Sequence, residues 1–294
     1  MRRIDYTVDA AFDGKKVYTF LKSHCKCSSR LIRSLKQTEL GICCNGEHIR
    51  TVDLLHTGDV LTLNLPDDGA PAKAGQTLPD VIYEDDDLLI VNKPALMPIY
   101  ESHNHQGDTL ANCVALCLQQ QGKSGAFRAV GRLDKGTSGL VVCALNTHAA
   151  ARLNGQVQKT YYAIATAPFS GEGTIDLPIW RPDPMKTLRS VDTRGDRAVT
   201  HWKALSSDGT LTLLEIHLET GRTHQIRVHF AHLGAPLLGD RMYGRPDLRM
   251  DHQALHCGAL TLIHPVTGAL LQASAPMPPE MAAVAQTLLR EKAQ

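Results

Sequence analysis

The sequence predicts an α+β protein built on a mixed, mainly antiparallel sheet. Two observations carry that prediction. Short strand-like runs and helix-like stretches are interspersed without the strand–helix–strand regularity of a parallel α/β fold. A stretch rich in Pro, Gly and Ala at residues 66–79 has linker composition and divides the 294-residue chain into a small module, residues 1–65, and a body, residues 80–294. That length supports a large core without disulfide or metal staples.

In the module, Val17, Phe20, Leu21 and His24 lie at helical spacing after Gly14. A second helix starts at Ser28, a capping residue type, and runs to about Gln37. Leu31, Ile32 and Leu35 form its apolar side, while Arg30, Arg33 and Lys36 recur every three residues and share another face. Asn45-Gly46 after Ile42-Cys43-Cys44 predicts a hairpin. Val60 to Leu65 alternates like a strand. The body opens with two short strands, Val81-Ile82-Tyr83 and Leu88 to Val91, around an acidic turn. A helix follows Asp108-Thr109. The apolar run Gly139 to Leu145 predicts a buried strand, and Thr160–Thr166 and Leu211–Leu218 predict further strands. His224 to Leu233 reads as a helix stopped by Gly234, and residues 280–290 as a closing helix.

Composition narrows the function classes. Hydrophobic residues at 43% and charged residues at 21% exclude a mostly disordered chain. No apolar run approaches the ~20 residues of a membrane span. Met1-Arg2-Arg3-Ile4-Asp5-Tyr6 lacks the apolar stretch of a signal peptide, so a cytoplasmic chain is expected. The eight cysteines (25, 27, 43, 44, 113, 117, 143, 257) lack zinc-knuckle spacing and suit a reducing compartment. His224, His229 and His232 do not share a metal-binding helical face, so no metal is expected. The net charge of +1 argues against nucleic acid when taken as a whole, but it averages unlike regions. Residues 13–50 carry a balance of +5 and Asp67–Asp87 a balance of −6.

No phosphate-cradling glycine loop appears, so no nucleotide cofactor is expected. The distinctive segment is Gly131-Arg-Leu-Asp-Lys-Gly-Thr-Ser-Gly-Leu-Val-Val142. A carboxylate before a buried strand can serve as nucleophile, general base or metal ligand. Arg132 and Lys135 favour its ionised form. A turn aspartate capping backbone amides is the alternative from the residues alone.

Two resemblances extend this reading. The two helices, Asn-Gly hairpin and strand of residues 1–65 resemble the S4 domain, which implies RNA contact by Arg30, Arg33 and Lys36. The 131–142 segment resembles the signature of RluA-type pseudouridine synthases, with its R-L-D-x-x-T-S-G-L core. Tyr83-Glu84 through Val91-Asn-Lys-Pro-Ala95, Lys159-Thr-Tyr-Tyr-Ala163, Ile216 to His229 with Gly234 to Gly244, and Leu255-His256 with His264 to Gly268 resemble further family motifs in the same order.

The second resemblance implies an RNA isomerase that detaches uracil from C1′, rotates it and reattaches it through C5, without cofactor or metal. It implies Asp134 as the catalytic aspartate, Tyr161 as the tyrosine against the target base, and Arg222 as the partner of the aspartate. Arg132 would stand near the space left by the flipped nucleotide. Asn92, Lys93, Thr137, Ser138, His224 and Gln225 would shape the loops. The expected partner is RNA, ribosomal (23S) before transfer RNA, with the protein a monomer that binds neither DNA nor membrane. Gly131 and Gly136 depart from the family pattern, where histidine and an acidic residue are common. Two other readings exist on the same residues: a non-catalytic RNA-binding or remodelling protein, and a hydrolase using Asp134, for which no water-activating partner is visible.

Overall fold

The computed structural model describes residues 2–66, 72–123 and 126–291. The first segment folds as β1 (Arg2–Thr7), α1 (Val17–Ser23), α2 (Ser29–Gln37), β2 (Ile42–Cys44), β3 (Glu47–His48) and β4 (Val60–Leu65). Its four strands form an antiparallel sheet in the order β1-β4-β2-β3. Ser28 caps α2 by accepting a 3.1 Å hydrogen bond from the Leu31 amide. A cap of this kind contributes about 1 kcal/mol. The helix buries Leu31, Ile32 and Leu35 in a core shared with Phe20 and Leu63, each such side chain contributing about 1.5–3 kcal/mol. Arg30, Arg33 and Lys36 stay exposed on its other side. Asn45 and Gly46 both take positive φ, as a two-residue hairpin turn matching strand twist requires.

The body comprises β5 (Asp80–Glu84), β6 (Leu88–Lys93), α3 (Leu110–Gln120), β7 (Arg128–Val130), β8 (Ser138–Ala144), α4 (Thr147–Leu153), β9 (Gln158–Ala165) and β10 (Glu172–Asp176). It continues through β11 (Ile179–Trp180), β12 (Ser190–Val191), β13 (Val199–Ser207), β14 (Thr212–Leu218), α5 (Gln225–His232), β15 (Leu255–Ile263), β16 (Leu270–Ser274) and α6 (Pro279–Glu291). Ten strands form one sheet, in the order β10-β13-β14-β9-β15-β8-β6-β5, with β16 on β15 and β7 on β8. Every pairing is antiparallel except β15 with β8, where His256 faces Ser138 and Cys257 faces Gly139. This contact requires glycine. Gly139 has a φ of 107°, and a Cβ there would collide with the Cys257 carbonyl. The sheet is therefore mixed and mainly antiparallel, as expected. A minor sheet pairs β11 with β12.

The module is fixed to the body by polar contacts. The Arg2 guanidinium holds Asp87 bidentately at 3.0 and 2.7 Å, and Asn146 donates to the same carboxylate at 2.9 Å. The Tyr6 hydroxyl lies 3.1 Å from His148 Nε2, and Arg152 donates to the Cys25 carbonyl at 3.2 Å. Of the expected linker 66–79, residues 67–71 lie outside the described residues. Within the described part, residues 73–75 are held to the body: the Gly75 amide donates to the Asn112 carbonyl, and Asn112 donates to the Lys73 carbonyl. Among the described residues, Asp85, Asp87 and His264 cluster with metal-ligand spacing, but Asp87 is engaged by Arg2 and Asn146, and Asp85 accepts from Tyr83 and two backbone amides.

Candidate active site

A cleft of about 920 Å³ opens where the ends of β9 and β14 meet the loop before β8 and the start of α5. That volume lies within the range of small-ligand sites. Arg132, Asp134, Tyr161, Arg222, His224 and Arg227 all line it.

The Asp134 loop is pinned from behind. The Thr137 amide donates to the Asp134 carbonyl at 3.0 Å, closing a turn. Gln253 donates to the Thr137 hydroxyl at 3.1 Å, and the Ser138 hydroxyl meets His256 Nδ1 at 2.9 Å. Lys93 is fully buried. Its ammonium donates to the carbonyls of Pro94, Met97 and Lys135 at 2.9, 2.9 and 3.1 Å, tying β6 to the loop. Burial pushes its pKa down to about 7 against the opposing pull of Asp134. Thr137, Ser138 and Lys93 thus support the loop physically. Asn92 does not: its amide donates across the sheet to Asp80 at 3.1 Å. Gln225 braces the next turn by accepting from the Arg222 amide and donating to the Val199 carbonyl, each at 2.9 Å.

The Asp134 carboxylate pairs with Arg227, Oδ2 to Nη1 at 3.2 Å. Arg227 is itself held by the fully buried Asp240 through bonds of 2.7 and 2.8 Å, and its guanidinium lies 5.0 Å from the Tyr243 ring centroid. Burial alone would raise the Asp240 pKa, but Arg227 and the Tyr243 and Met242 amides hold it below the ordinary carboxylate value. One cation therefore spans two carboxylates, a rigid fork suited to arginine.

Arg222 was expected to pair with the aspartate, and it does not. It sits in the turn before α5, where its side chain donates to the Arg197 carbonyl at 3.0 Å and faces Asp196 at 3.6 Å. Arg227, within the helix, points inward from the first turn. The sequence signal for it was an arginine flanked by Ile226 and Val228, because a buried guanidinium needs partners.

His224 takes a left-handed φ of 59° at the start of α5. Its Nδ1 lies 2.8 Å from the Tyr243 hydroxyl, which accepts from the Arg189 amide at 3.0 Å. The simplest proton arrangement has the hydroxyl donate to Nδ1, which leaves the neutral ring's proton on Nε2. Nε2 lies 3.9 Å from Asp134. Burial lowers the His224 pKa; Asp134 opposes this, and Arg227, Arg189 and Arg132 reinforce it.

Tyr161 is 7% exposed, on β9 between Ile216 and Cys257. Burial, then Cys257 and Asp134, push its phenol well above the ordinary value. Tyr162 packs on the opposite face, beside Leu213 and Met281. Arg132 lines the cleft and is exposed. Arg30, Arg33 and Lys36 lie on the N-terminal module and do not line it. The two glycine departures have local causes. Gly131 has a φ of 75°, and a Cβ on Gly136 would collide with the Gln253 side chain.

A family model described as RNA pseudouridylate synthase matches residues 87–232. An uncharacterized RNA pseudouridine synthase, YhcT of Bacillus subtilis, is 36% identical over 97% of this chain and 97% of its own length. The ribosomal large subunit pseudouridine synthase D of Vibrio cholerae is 37% identical over 80% of this chain and 79% of its own. The solved structure of human RNA pseudouridylate synthase domain containing 4 superposes with a TM-score of 0.57 at 25% identity, covering 71% of this chain and 92% of that one.

Proposed function

Because the chain belongs to the RNA pseudouridylate synthase family, we propose that it isomerises uridines of large-subunit ribosomal RNA with Asp134 as the catalytic aspartate. The observation that carries the reading is the Asp134 carboxylate in an open cleft, balanced by an arginine that Asp240 holds in place. The ribosomal assignment is supported by relatives named for the large ribosomal subunit. A monomeric state, and transfer RNA as the lesser alternative substrate, belong to the same proposal.

In this reading the target nucleotide leaves its stack and enters the cleft. Asp134 acts at C1′ as the N1–C1′ bond breaks. The uracil turns, C5 bonds to C1′, the proton at C5 leaves and N1 gains one. Tyr161 packs its ring against the base. Its hydroxyl, kept neutral by burial, serves at C5 as a hydrogen-bond partner rather than a phenolate base. Arg132 approaches the gap left by the nucleotide, and Arg222 meets RNA at the rim instead of the aspartate. Residues 1–65 act as an S4-like module whose exposed Arg30, Arg33 and Lys36 contact phosphates. The experiment is pseudouridine formation by Asp134→Asn on ribosomal RNA from cells lacking the gene. Loss of turnover with RNA binding retained supports the assignment, and wild-type turnover overturns it.

A further inference from the structure

The paired strands β11 and β12 carry a connection, 181–189, that the reaction above does not use. It holds Arg181, Lys186 and Arg189 against one acid, Asp183, which faces Lys186 at 3.7 Å. Arg181 and Arg189 have no carboxylate within 4.0 Å among the described residues. Both instead turn onto the backbone of their own connection. Arg181 Nε donates to the Lys186 carbonyl at 3.0 Å. Arg189 Nη1 donates to the carbonyls of Lys186, Thr187 and Leu188 at 3.4, 2.6 and 3.0 Å. Two guanidinium groups therefore share one carbonyl oxygen. That brings like charges together with no anion between them, an arrangement with a Coulombic cost that a bound anion would relieve. Burial, then Arg181 and Arg132, lower the Arg189 pKa, which agrees with crowding of positive charge.

The arm is anchored. Val191 and Ile179 pack with Val228 of α5 and with Tyr243. The Arg189 amide donates to the Tyr243 hydroxyl, whose other partner, His224, lines the cleft. The arginine pair thus stands on a fixed support beside the cleft wall, with Met185 fully accessible next to it at 91% exposure.

We propose that Arg181 and Arg189 form a phosphate-binding surface on this arm that holds the RNA backbone flanking the nucleotide in the cleft. The proposal rests on the RNA reading above and adds a recognition surface to it. Guanidinium forks match phosphate oxygens, and Arg181 can swing off its single carbonyl bond to meet one.

The test measures binding of the full chain to a labelled oligouridine across a salt series, and turnover on ribosomal RNA from cells lacking the gene. The Arg181→Gln/Arg189→Gln variant should flatten the slope of log affinity against log salt by about 1.4, at ~0.7 per single-strand phosphate contact. Its KM should rise several-fold with kcat near wild type. Arg181→Lys/Arg189→Lys, which keeps both charges but loses the guanidinium bonds to the backbone, should keep most of the slope. An unchanged slope in the glutamine variant overturns the proposal, as does a lysine variant as weak as the glutamine one. If the double variant unfolds by circular dichroism, Arg181→Gln alone carries the test with a slope change of about 0.7. Wild-type protein that forms no pseudouridine would overturn the proposed reaction instead, and the salt slope would still read the arm.

Discussion

Replacing Arg227 by Met should damage both stability and turnover, with a pH signature that identifies the cause. The side chain is 7% exposed and lies between Asp134 at 3.2 Å and the fully buried Asp240 at 2.7 Å. Methionine fills similar volume but leaves Asp240 a buried carboxylate with only its backbone amide donors. Breaking a buried pair from one side costs about 3–5 kcal/mol, a large share of the ~5–15 kcal/mol that holds a domain folded. In wild type the Asp240 pKa lies below its ordinary value of 3.8. That pair therefore adds stability above the unfolded pKa, and the gain is lost as pH falls through the folded value. In the variant, burial without the cation puts the Asp240 pKa above the unfolded value, so the folded state weakens as pH rises through that window. Urea unfolding of both proteins should give a stability gap that is full at neutral pH and narrows as the buffer becomes acid. A neutral-pH gap under about 1 kcal/mol, or one that widens in acid, would refute the reasoning.

Three further outcomes follow from the same geometry. Lys93→Met should leave the Pro94, Met97 and Lys135 carbonyls without their donor, costing about 1–3 kcal/mol in urea unfolding and loosening the Asp134 loop enough to lower kcat. Because the Lys93 pKa is lowered to about 7 from 10.5, wild type should gain stability from this group as pH rises between those values, and the variant should lack that gain. Gly139→Ala should prevent the parallel contact of β8 with β15, seen as insoluble protein or a thermal midpoint far below wild type; a midpoint near wild type would contradict it. Changing Arg30, Arg33 and Lys36 together to Gln should weaken RNA binding and flatten its salt slope by about 2–3 in a filter-binding series, at roughly 0.7–0.9 per phosphate contact.

Several helices were legible from an apolar face and a marked end: Ser28 before α2, Thr109 before α3, Gly234 after α5. α4 was not read, because its seven residues bury only His148, Ala149 and Leu153, although Asn146 caps it. The buried run of β8 was legible for its continuous apolar residues. Several strands carried no such signal. β15 lies near the middle of the large sheet, but His256, Cys257 and Gly258 interrupt its apolar pattern, and their places are set by partners on β8 and β9. β13 mixes polar and apolar residues without strict alternation and with little burial contrast, and β10 is a short edge strand. In the site, the Asp134 loop stood out because Gly, Thr and Ser crowd one short segment. Its partner did not, because Arg227 is 93 residues away and only the packing of α5 under the loop chooses it over Arg222. His224 was read as a loop former. Its contact with Tyr243 depends on a left-handed turn that residue types alone did not announce.

The central claim, that Asp134 works at C1′ of a uridine in the cleft, is tested most directly by one comparison. Ribosomal RNA from cells lacking the gene is incubated with wild type or Asp134→Asn, and pseudouridine is mapped by carbodiimide-dependent primer extension stops. The account predicts new stops with wild type and none with the variant, although both bind the RNA with similar affinity. Equal stops with the two proteins would contradict it.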